Sequence, residues 1–369
     1  MQQSWQSFDD EIKSHAEEYA EEFIMAVRSQ REKTPLEFIT PKIYESILSG
    51  LKQLEKYFFL KTKHDTLLLN KTQFDPWNSN SFMRNPLPHF QMAKESARME
   101  VLNLLYQASP SFYFVVKKAF QENYIDLREP NDRKLSAFTI SFQDSRFSQI
   151  TVDLAGTEQD TIILAHELGH FAHRFWTPNE QWRFHAQMIP LKESIAFFFE
   201  GEITSRLPTP ERQLAIGHSM RLAFVRLAAL DRLIQKVQSH LHLFEARKVQ
   251  KSHLLSNWLA EELSPPLGED FAFKDKLFWA KVDHIRSPRG LKLPKFYLIA
   301  QSIALALRTQ LPKDGMVRGH MLRKFITVSG TSGIEFALRE FSIPAHSPEF
   351  WFNVIKEELE NSINPLLLY

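Results

Sequence analysis

The sequence contains no cysteine among its 369 residues. Disulfide bonds and catalysis by a thiol are therefore excluded, and any bound metal has to be held by histidine, aspartate or glutamate side chains. A chain without thiols also suits a reducing compartment, in which disulfides rarely form.

Two further absences limit the partners of the protein. Its 45 basic residues are balanced by 44 acidic ones, and the resulting net charge of +1 gives no sign of a nucleic-acid partner. Apolar runs such as IAFFF (195–199) are far shorter than the roughly 18 residues that a membrane helix needs. Residues 1–23 are acidic and lack a basic segment followed by an apolar one, so we expect no signal peptide. The expectation is a cytoplasmic protein with no membrane partner.

Most of the chain has the periodicity of amphipathic helices. Residues 41–60 and 220–246, for example, repeat apolar side chains at intervals of three and four. The exception is a pair of segments, 135–143 and 146–154, in which β-branched and aromatic residues alternate on either side of an Asp-Ser pair. This pattern predicts a β-hairpin. The fold class that we expect is mainly α, with a small antiparallel β-sheet.

A chemical motif follows these strands at Thr161–Trp176, where the sequence reads TIILAHELGHFAHRFW. In a helix, residues four apart are offset by about 40°, so the imidazoles of His166 and His170 can reach one ion. Glu167 lies beside the first of them and can accept a proton from a water molecule bound to that ion. The pattern therefore predicts a zinc site rather than two histidines that share a helix face without function.

A catalytic zinc ion takes three protein ligands and leaves one position for water. The position that would supply a third histidine, ten residues after the first, is occupied by Trp176. His173 is too close along the helix to complete the triangle of ligands, and we assign it to packing or to an outer role behind the ligands. The third ligand is expected from a later segment, MIPLKESIAFFFEGEI (188–203), which offers Glu193, Glu200 and Glu202.

Glu193 follows His170 by 23 residues, which is enough for a turn and an antiparallel return. Glu200 lies seven residues further on and shares the helix face of Glu193. A carboxylate on such an apolar stretch is costly unless it is paired or metal-bound. We therefore assign Glu193 as the third ligand of one Zn²⁺ per chain, and Glu200 as the acceptor that holds a ligand histidine.

These residues resemble the zinc oligopeptidases of the oligoendopeptidase F and thimet oligopeptidase type. LAHELGHFAH (164–173) is similar to that family's metal helix, and IPLKESIAFFFE (189–200) is similar to its third-ligand segment. Further segments are similar to parts of the family in the same order: YIDLREPNDRKLSAFTISF upstream, and FWAKVDHIRSP, KFYLIAQSIALALR and LRKFITVSGTSGIEFALREFSI downstream.

The resemblance implies two helical lobes around a deep channel that admits short unfolded peptides. A hairpin strand (Phe147–Leu154 or Ala137–Phe142) would pair with the bound peptide. We expect residues 1–130 to form a helical wall of the cleft and residues 131–369 to form the zinc peptidase region, as one continuous catalytic unit. Only the carboxy-terminal catalytic part of the family is matched. Without the amino-terminal lobe the cleft would be more open, unless another subunit of a homo-oligomer covers it.

Two departures from the family concern the group that stabilises the oxyanion. The family places a tyrosine hydroxyl near the scissile carbonyl. Here Tyr297 is present, but aligning the FY pair puts Gln301 where the family has its catalytic tyrosine. The family's substrate-binding histidine corresponds to His284, although the segment between His284 and Tyr297 is longer than in the family. The resemblance thus implies His284 and Tyr297 as catalytic residues and Gln301 as an alternative oxyanion donor.

The predicted function is a zinc-dependent endopeptidase that hydrolyses short oligopeptides, with Glu167 as the general base. Two alternatives stay open. A zinc carboxypeptidase has a similar HExGH helix and would need a cation for the free carboxylate of its substrate, which Arg286, Arg289 or Lys295 would supply. A family member weakened in catalysis would bind peptides or a protein partner without cleaving them, and the replaced tyrosine favours this reading.

Overall fold

The computed structural model describes residues 2–31, 42–55, 90–129, 137–141, 148–154, 158–177, 185–206, 210–244, 250–269, 272, 276–287 and 290–361. The chain divides into two compact units. The first unit contains Met1–Glu37, Leu51–Thr66 and Met220–Leu298. The second unit contains Phe38–Gly50, Leu67–Ser219 and Ile299–Tyr369.

Helices make up most of the described residues. They are α1 (Gln2–Arg31), α2 (42–55), α3 (Phe90–Ala108), α4 (Pro110–Gln121), α5 (Glu158–Trp176), α6 (His185–Thr204), α7 (Pro210–Ser239), α8 (Lys251–Leu267), α9 (Phe278–Lys281), α10 (Leu293–Gln310), α11 (Gly315–Ser332), α12 (Ile334–Glu340) and α13 (Pro348–Asn361). Short 3₁₀ turns lie at Leu241–Phe244, Asp283–Arg286 and Gly290–Lys292. None of the described helices is both long and apolar enough to cross a membrane.

The core of the first unit is built on α1, which packs against α8. One face of α1 is buried because its apolar residues recur at intervals of three and four: Ile12, Ala16, Ala20, Phe23 and Val27. The fully buried ring of Trp279 lies 6.3 Å from that of Phe23, and its Nε1 donates to the hydroxyl of Ser256 at 3.2 Å.

A side chain of α1 caps the amino terminus of α8. The two carboxylate oxygens of Glu17 accept hydrogen bonds from the backbone N–H groups of Lys251 and Ser252, each at 2.9 Å. These N–H groups belong to the first turn of a helix and have no partner within it. Burial alone would raise the pKa of Glu17, but the hydrogen bonds from Ser252 and Lys251 outweigh it and lower the pKa below its usual 4.5.

The second unit contains a three-stranded sheet in the order β1-β3-β2. Its strands are β1 (Ile125–Arg128), β2 (Ala137–Ser141) and β3 (Ser148–Asp153). The predicted antiparallel pair is present as β2 and β3, while the predicted turn between them lies in residues 142–147, outside the described part of the chain. β1 runs parallel to β3, so the sheet is mixed rather than purely antiparallel.

Helices α5 and α6 form the centre of the second unit and pack closely together. Gly169 of α5 lies at the crossing. A Cβ atom at this position would come within 2.7 Å of the backbone nitrogen of Ala196 and 2.8 Å of the carbonyl oxygen of Ile195. Because these neighbours are backbone atoms that cannot rotate away, only glycine permits the approach of the two helices.

A buried ion cluster fixes α6 to α11. Glu202 lies nine residues after Glu193, and therefore about 180° around the helix from it. Its Oε1 accepts a hydrogen bond from Nη2 of Arg318 at 2.7 Å, and its Oε2 accepts one from Nη1 of Arg206 at 2.8 Å. The Nε atom of Arg308 lies 3.5 Å from the same carboxylate. Glu202 is thus a structural anion and does not belong to the predicted ligand set.

The predicted fold class, mainly α with a small sheet, is confirmed. The residues on both sides of position 130 belong to the same compact unit. The predicted division into a helical wall and a peptidase region stays a prediction. β1 at 125–128 pairs with β3, and both α3 and α4 belong to the same compact unit as α5.

Candidate metal centre

The motif histidines of α5 face away from the core because the opposite side of the helix is fully buried. Leu164, Leu168 and Phe171 are inaccessible to solvent, and their burial fixes the rotation of the helix. His166 and His170 are half-buried on the remaining face, and their ring centroids lie 5.0 Å apart. One helical turn therefore presents two imidazoles to the same space, as predicted from the spacing.

Helix α6 adds a carboxylate to these histidines. Oε2 of Glu193 lies 3.5 Å from Nε2 of His166, and Oε1 of Glu193 lies 3.8 Å from Nε2 of His170. One nitrogen or oxygen atom from each of the three residues lies within 4.8 Å of the others. Tetrahedral zinc with ligands at about 2.1 Å has ligand atoms about 3.4 Å apart. The three side chains therefore fit a zinc ion after small adjustments.

Glu200 contacts the other nitrogen of His166. Its Oε2 lies 3.2 Å from Nδ1. A carboxylate in this position orients the imidazole so that Nε2 is directed away from it. This is the role predicted for Glu200 from its seven-residue spacing after Glu193.

Burial and neighbouring charges shift the pKa values of both histidines and of Glu193. Burial acts to lower the pKa of His166, but the hydrogen bonds and charges of Glu193 and Glu200 outweigh it and raise the pKa to about 10. Burial, opposed by Glu193 and assisted by the charge of His166, lowers the pKa of His170 to about 4. Burial would raise the pKa of Glu193, but the hydrogen bond and charge of His166 and the charge of His170 lower it.

Glu167 is buried beside the ligands and contacts the sheet. The hydroxyl of Thr139 donates to Oε2 of Glu167 at 2.5 Å and lies 3.3 Å from the carbonyl oxygen of Glu167. Burial raises the pKa of Glu167, and the hydrogen bond from Thr139 opposes that shift. A carboxylate with a raised pKa is closer to the range in which it exchanges a proton near neutral pH.

The strand β2 has one open edge. Ile150 and Leu154 donate their N–H groups toward β1, to the carbonyl oxygens of Tyr124 and Arg128 at 2.9 Å. Because Ile150 faces β1, its pairing with Thr139 is one without mutual hydrogen bonds. The N–H and C=O groups of Thr139 therefore point away from β3, toward an edge along which no other strand pairs within the described residues.

His173 is fully buried, and its ring nitrogen Nδ1 is directed to Thr177 rather than to the ligand cluster. Its Nδ1 lies 3.3 Å from the hydroxyl of Thr177, and its Nε2 has no hydrogen-bond partner within the described part of the chain. Burial lowers the pKa of His173 well below its usual value, with the charge of Lys192 adding to the effect. Such burial favours packing, one of the two roles predicted for His173, and the role itself stays a prediction.

The three residues implied for oxyanion stabilisation are divided between the units. Gln301 belongs to the second unit, and its Oε1 is buried without a hydrogen-bond partner among the described residues. Tyr297 and His284 belong to the first unit, and the side chain of His284 lies outside the described atoms. Their roles stay predictions.

Among the cations considered for a free substrate carboxylate, Arg286 is engaged within the first unit. Its guanidinium lies 3.9 Å from the ring centre of Tyr19, and its Nε lies 3.4 Å from a carboxylate oxygen of Glu22. Arg289 lies outside the described residues.

Sequence reasoning missed Thr139. The only signal available was its place in the alternation of β2, where Phe138 and Ile140 are exposed and Thr139 between them is half-buried. Side chains alternate between the faces of a strand, and a polar residue on the face toward the HExxH helix is a candidate partner for that helix.

Comparisons with known proteins give the context of this site. No known protein-family model matches the chain. An oligoendopeptidase F homologue of Mycoplasma genitalium is 23% identical over 140 residues, which amount to 38% of this chain and 23% of that protein. A candidate peptidase of Chlamydophila abortus superimposes with a TM-score of 0.63 at 15% identity, over 97% of this chain and 63% of the other.

Oligoendopeptidase-F from Enterococcus faecium superimposes with a TM-score of 0.56 at 12% identity, over 99% of this chain and 63% of the other. The chain therefore spans less than two thirds of the length of each of these three proteins. The shared fold over nearly the whole chain and the partial sequence similarity confirm that this protein resembles the oligoendopeptidase F family, as its motifs indicated.

Proposed function

We propose that the protein is a zinc-dependent peptidase that cleaves within short oligopeptides. The observation that carries this proposal is the convergence of His166, His170 and Glu193, from two helices, beside the buried carboxylate of Glu167. A ligand set without a neighbouring base would suit a structural metal equally well. The base beside the ligands favours hydrolysis.

The donor chemistry fits zinc. Two imidazoles and one carboxylate are the ligands of many catalytic zinc sites, and they leave a fourth position open. Zinc in such a site lowers the pKa of a water ligand and polarises the substrate carbonyl. The chain contains no cysteine, which leaves harder nitrogen and oxygen donors as its metal ligands.

Residues of the chain would carry out the proton transfers and hold the histidine ligand in place. Glu167 accepts a proton from the attacking water and then delivers that proton to the leaving amine nitrogen. Glu200 holds the ring of His166. Donation to the carbonyl oxygen by His284, Tyr297 or Gln301 remains a prediction from the resemblance.

The open edge of β2 supports a peptide as the substrate. An extended peptide can add to a sheet edge through backbone hydrogen bonds, which makes binding tolerant of sequence. The N–H and C=O groups of Thr139 point to this edge and are suited to the pairing, and the strand lies next to α5. The names of the similar proteins, oligoendopeptidase and peptidase, agree with such a substrate.

The proposal is tested by metal content and turnover together. We expect one zinc ion per purified chain and internal cuts in a mixed pool of oligopeptides, followed by mass spectrometry. A Glu167→Ala variant should keep its zinc and lose about 10²- to 10⁴-fold in turnover. Full activity in that variant would mean that the mechanism is wrong, and zinc without any cleavage would favour a protein that binds peptides without cutting them.

Blocking the carboxyl terminus of a substrate separates the two kinds of peptidase. An endopeptidase cleaves an amidated peptide as well as a free one, whereas a carboxypeptidase needs the free carboxylate. We expect amidation to leave the cleavage rate unchanged. Loss of cleavage on amidation would establish the carboxypeptidase.

A further inference from the structure

We propose that the hydroxyl group of Thr139 holds the carboxylate of Glu167 in the orientation in which it accepts a proton. Thr139 would thus be a positioning residue of the reaction. This inference rests on the peptidase function proposed above. It starts from the hydrogen bond between the hydroxyl of Thr139 in the sheet and the carboxylate of Glu167 in the motif.

The direction of this hydrogen bond follows from its geometry. A hydroxyl has one hydrogen to donate, and two acceptors lie near Oγ1 of Thr139. The carboxylate oxygen Oε2 of Glu167 is at 2.5 Å and its carbonyl oxygen is at 3.3 Å. Distances of 2.5–2.7 Å are typical of a hydroxyl that donates to a charged oxygen. The hydrogen therefore goes to the carboxylate, where it occupies Oε2 and leaves Oε1 to accept the proton.

Both ends of the contact are held by regular structure. Thr139 lies within β2, which pairs with β3 along its length, and Glu167 lies within α5. The β-branched threonine side chain has restricted freedom about its first torsion angle. The donor is therefore fixed in direction, whereas the glutamate on its own has three rotatable bonds.

The same residue also faces the proposed substrate. The backbone N–H and C=O groups of Thr139 point to the open edge of β2, while its side chain points to α5. Thr139 would then set both the position of a peptide bound at that edge and the position of the base, Glu167. Displacements of about 1 Å in catalytic geometry cost as much as 100-fold in rate. A single residue that contacts both the base and the peptide would keep them at the correct separation.

The alternative is that Thr139 only fills space. Valine has nearly the same shape as threonine without the hydroxyl, and serine keeps the hydroxyl with less volume. The pair Thr139→Val and Thr139→Ser therefore separates the hydrogen bond from the packing. Thr327→Val serves as the control, since Thr327 is exposed on α11 and its hydroxyl donates only within that helix, to the carbonyl of Arg323 at 3.0 Å.

The first measurement is steady-state cleavage of one oligopeptide by the zinc-loaded variants. We expect kcat to fall about 10- to 100-fold in Thr139→Val with little change in KM. The Thr139→Ser and Thr327→Val variants should stay within about threefold of the parent protein. Zinc content should be one per chain in all of them. Normal turnover in Thr139→Val, or an equal loss in Thr139→Ser, would overturn the proposal.

The second measurement does not depend on activity. Crystal structures of the metal-free Thr139→Val and Thr139→Ser variants would locate the carboxylate of Glu167. We expect it to leave its position in the first variant and to keep it in the second, and an unmoved carboxylate in Thr139→Val would refute positioning. If even the parent protein cleaves no peptide, the proposed function fails, while these structures still decide whether Thr139 holds Glu167.

Discussion

The Nδ1 atom of His166 lies 3.2 Å from Oε2 of Glu200, while the Nε2 atom on the opposite side of the same ring faces Glu193 at 3.5 Å. The carboxylate of Glu200 therefore orients the ring, and the carboxylate of Glu193 faces the ring nitrogen that would bind a metal. Both carboxylates come from α6, seven residues apart, so that one helix supplies a candidate ligand and the residue that orients a second candidate ligand.

Replacing Glu200 should weaken zinc binding without removing a ligand. We expect Glu200→Ala to raise the zinc dissociation constant about 10- to 100-fold, because the ring of His166 loses its acceptor. A competition titration with a fluorescent chelator would measure this. Glu335→Ala is the matched control, since it breaks an exposed histidine–glutamate pair of 3.1 Å with His346 that lies outside the ligand cluster. Equal zinc affinity in the parent and Glu200→Ala proteins would contradict the assignment.

Zinc binding should release protons and tighten as the pH rises. A ligand imidazole must be neutral at the coordinating nitrogen, yet the pKa of His166 in the metal-free protein is about 10. His170, with a pKa of about 4, is already neutral above about pH 5 and releases none. We expect about one proton per zinc at about pH 8, and an apparent affinity that rises roughly tenfold per pH unit below the pKa of His166.

Calorimetry in two buffers with different ionisation enthalpies counts these protons. A heat of binding that is the same in both buffers would mean that His166 is neutral before zinc arrives. In that case the hydrogen-bond pattern around its ring would differ from the one described above.

A methyl group at the helix crossing should separate the two ligand helices. We expect Gly169→Ala to lower the free energy of unfolding by about 1–3 kcal/mol or more, since the added Cβ meets the backbone of Ala196 and Ile195. Gly319→Ala is a matched control with the same gain in helix propensity. Its Cβ would meet the hydroxyl oxygen of Ser109 at 2.6 Å, which can rotate away.

Urea unfolding of the metal-free proteins would measure both changes. If Gly169→Ala were as stable as Gly319→Ala, the two helices would be free to shift, and their contact would not define the ligand geometry. Zinc affinity should fall together with stability in Gly169→Ala, because the change pushes Glu193 away from the histidines.

The cap on α8 should make part of the stability depend on pH. The pKa of Glu17 is lower in the folded protein than its usual 4.5, so the folded state is stabilised above the unfolded pKa, and this contribution is lost as the pH falls through the folded pKa. We expect Glu17→Gln to cost at most about 1 kcal/mol near neutral pH, because the carboxylate is exposed and its charge is screened.

Unfolding free energies of the parent and Glu17→Gln proteins, measured near pH 7 and near pH 3, would test the sign. Their difference should shrink at the acidic pH, because the carboxylate loses its charge as the pH falls through the folded pKa. The exposed neighbour Glu18 provides the control, since Glu18→Gln makes the same change of charge beside the cap. A difference that grows on acidification would show that the cap does not act through the ionised carboxylate.

The convergence of the candidate ligand residues could be predicted from the sequence because these residues repeat at the helical period. His166 and His170 are one turn apart, and Glu193 and Glu200 are two turns apart. Each pair therefore lies on one face of its helix, independently of the tertiary fold. That independence from tertiary detail explains why the ligand cluster agrees with the prediction.

Other features depend on contacts that no local pattern encodes. β1 has four residues, too few for a strand period to appear, and its parallel partner β3 lies beyond β2 in the sequence. The contact of Thr139 with Glu167 joins residues 28 apart and exists only because β2 packs on α5. Glu202 lies on the opposite side of α6 from Glu193, as its nine-residue spacing implies, but its arginine partner on α11 could not be predicted from that spacing.

The ion pair between Glu202 and Arg318 joins residues 116 positions apart, and it has a consequence for the order of events during synthesis. At about 5–20 residues per second, a ribosome completes Arg318 roughly 6–23 seconds after it completes Glu202. Throughout that delay the carboxylate of Glu202 cannot be buried beside Arg318. Helix α6, which carries Glu193, therefore reaches its final packing against α11 only after Arg318 has been translated.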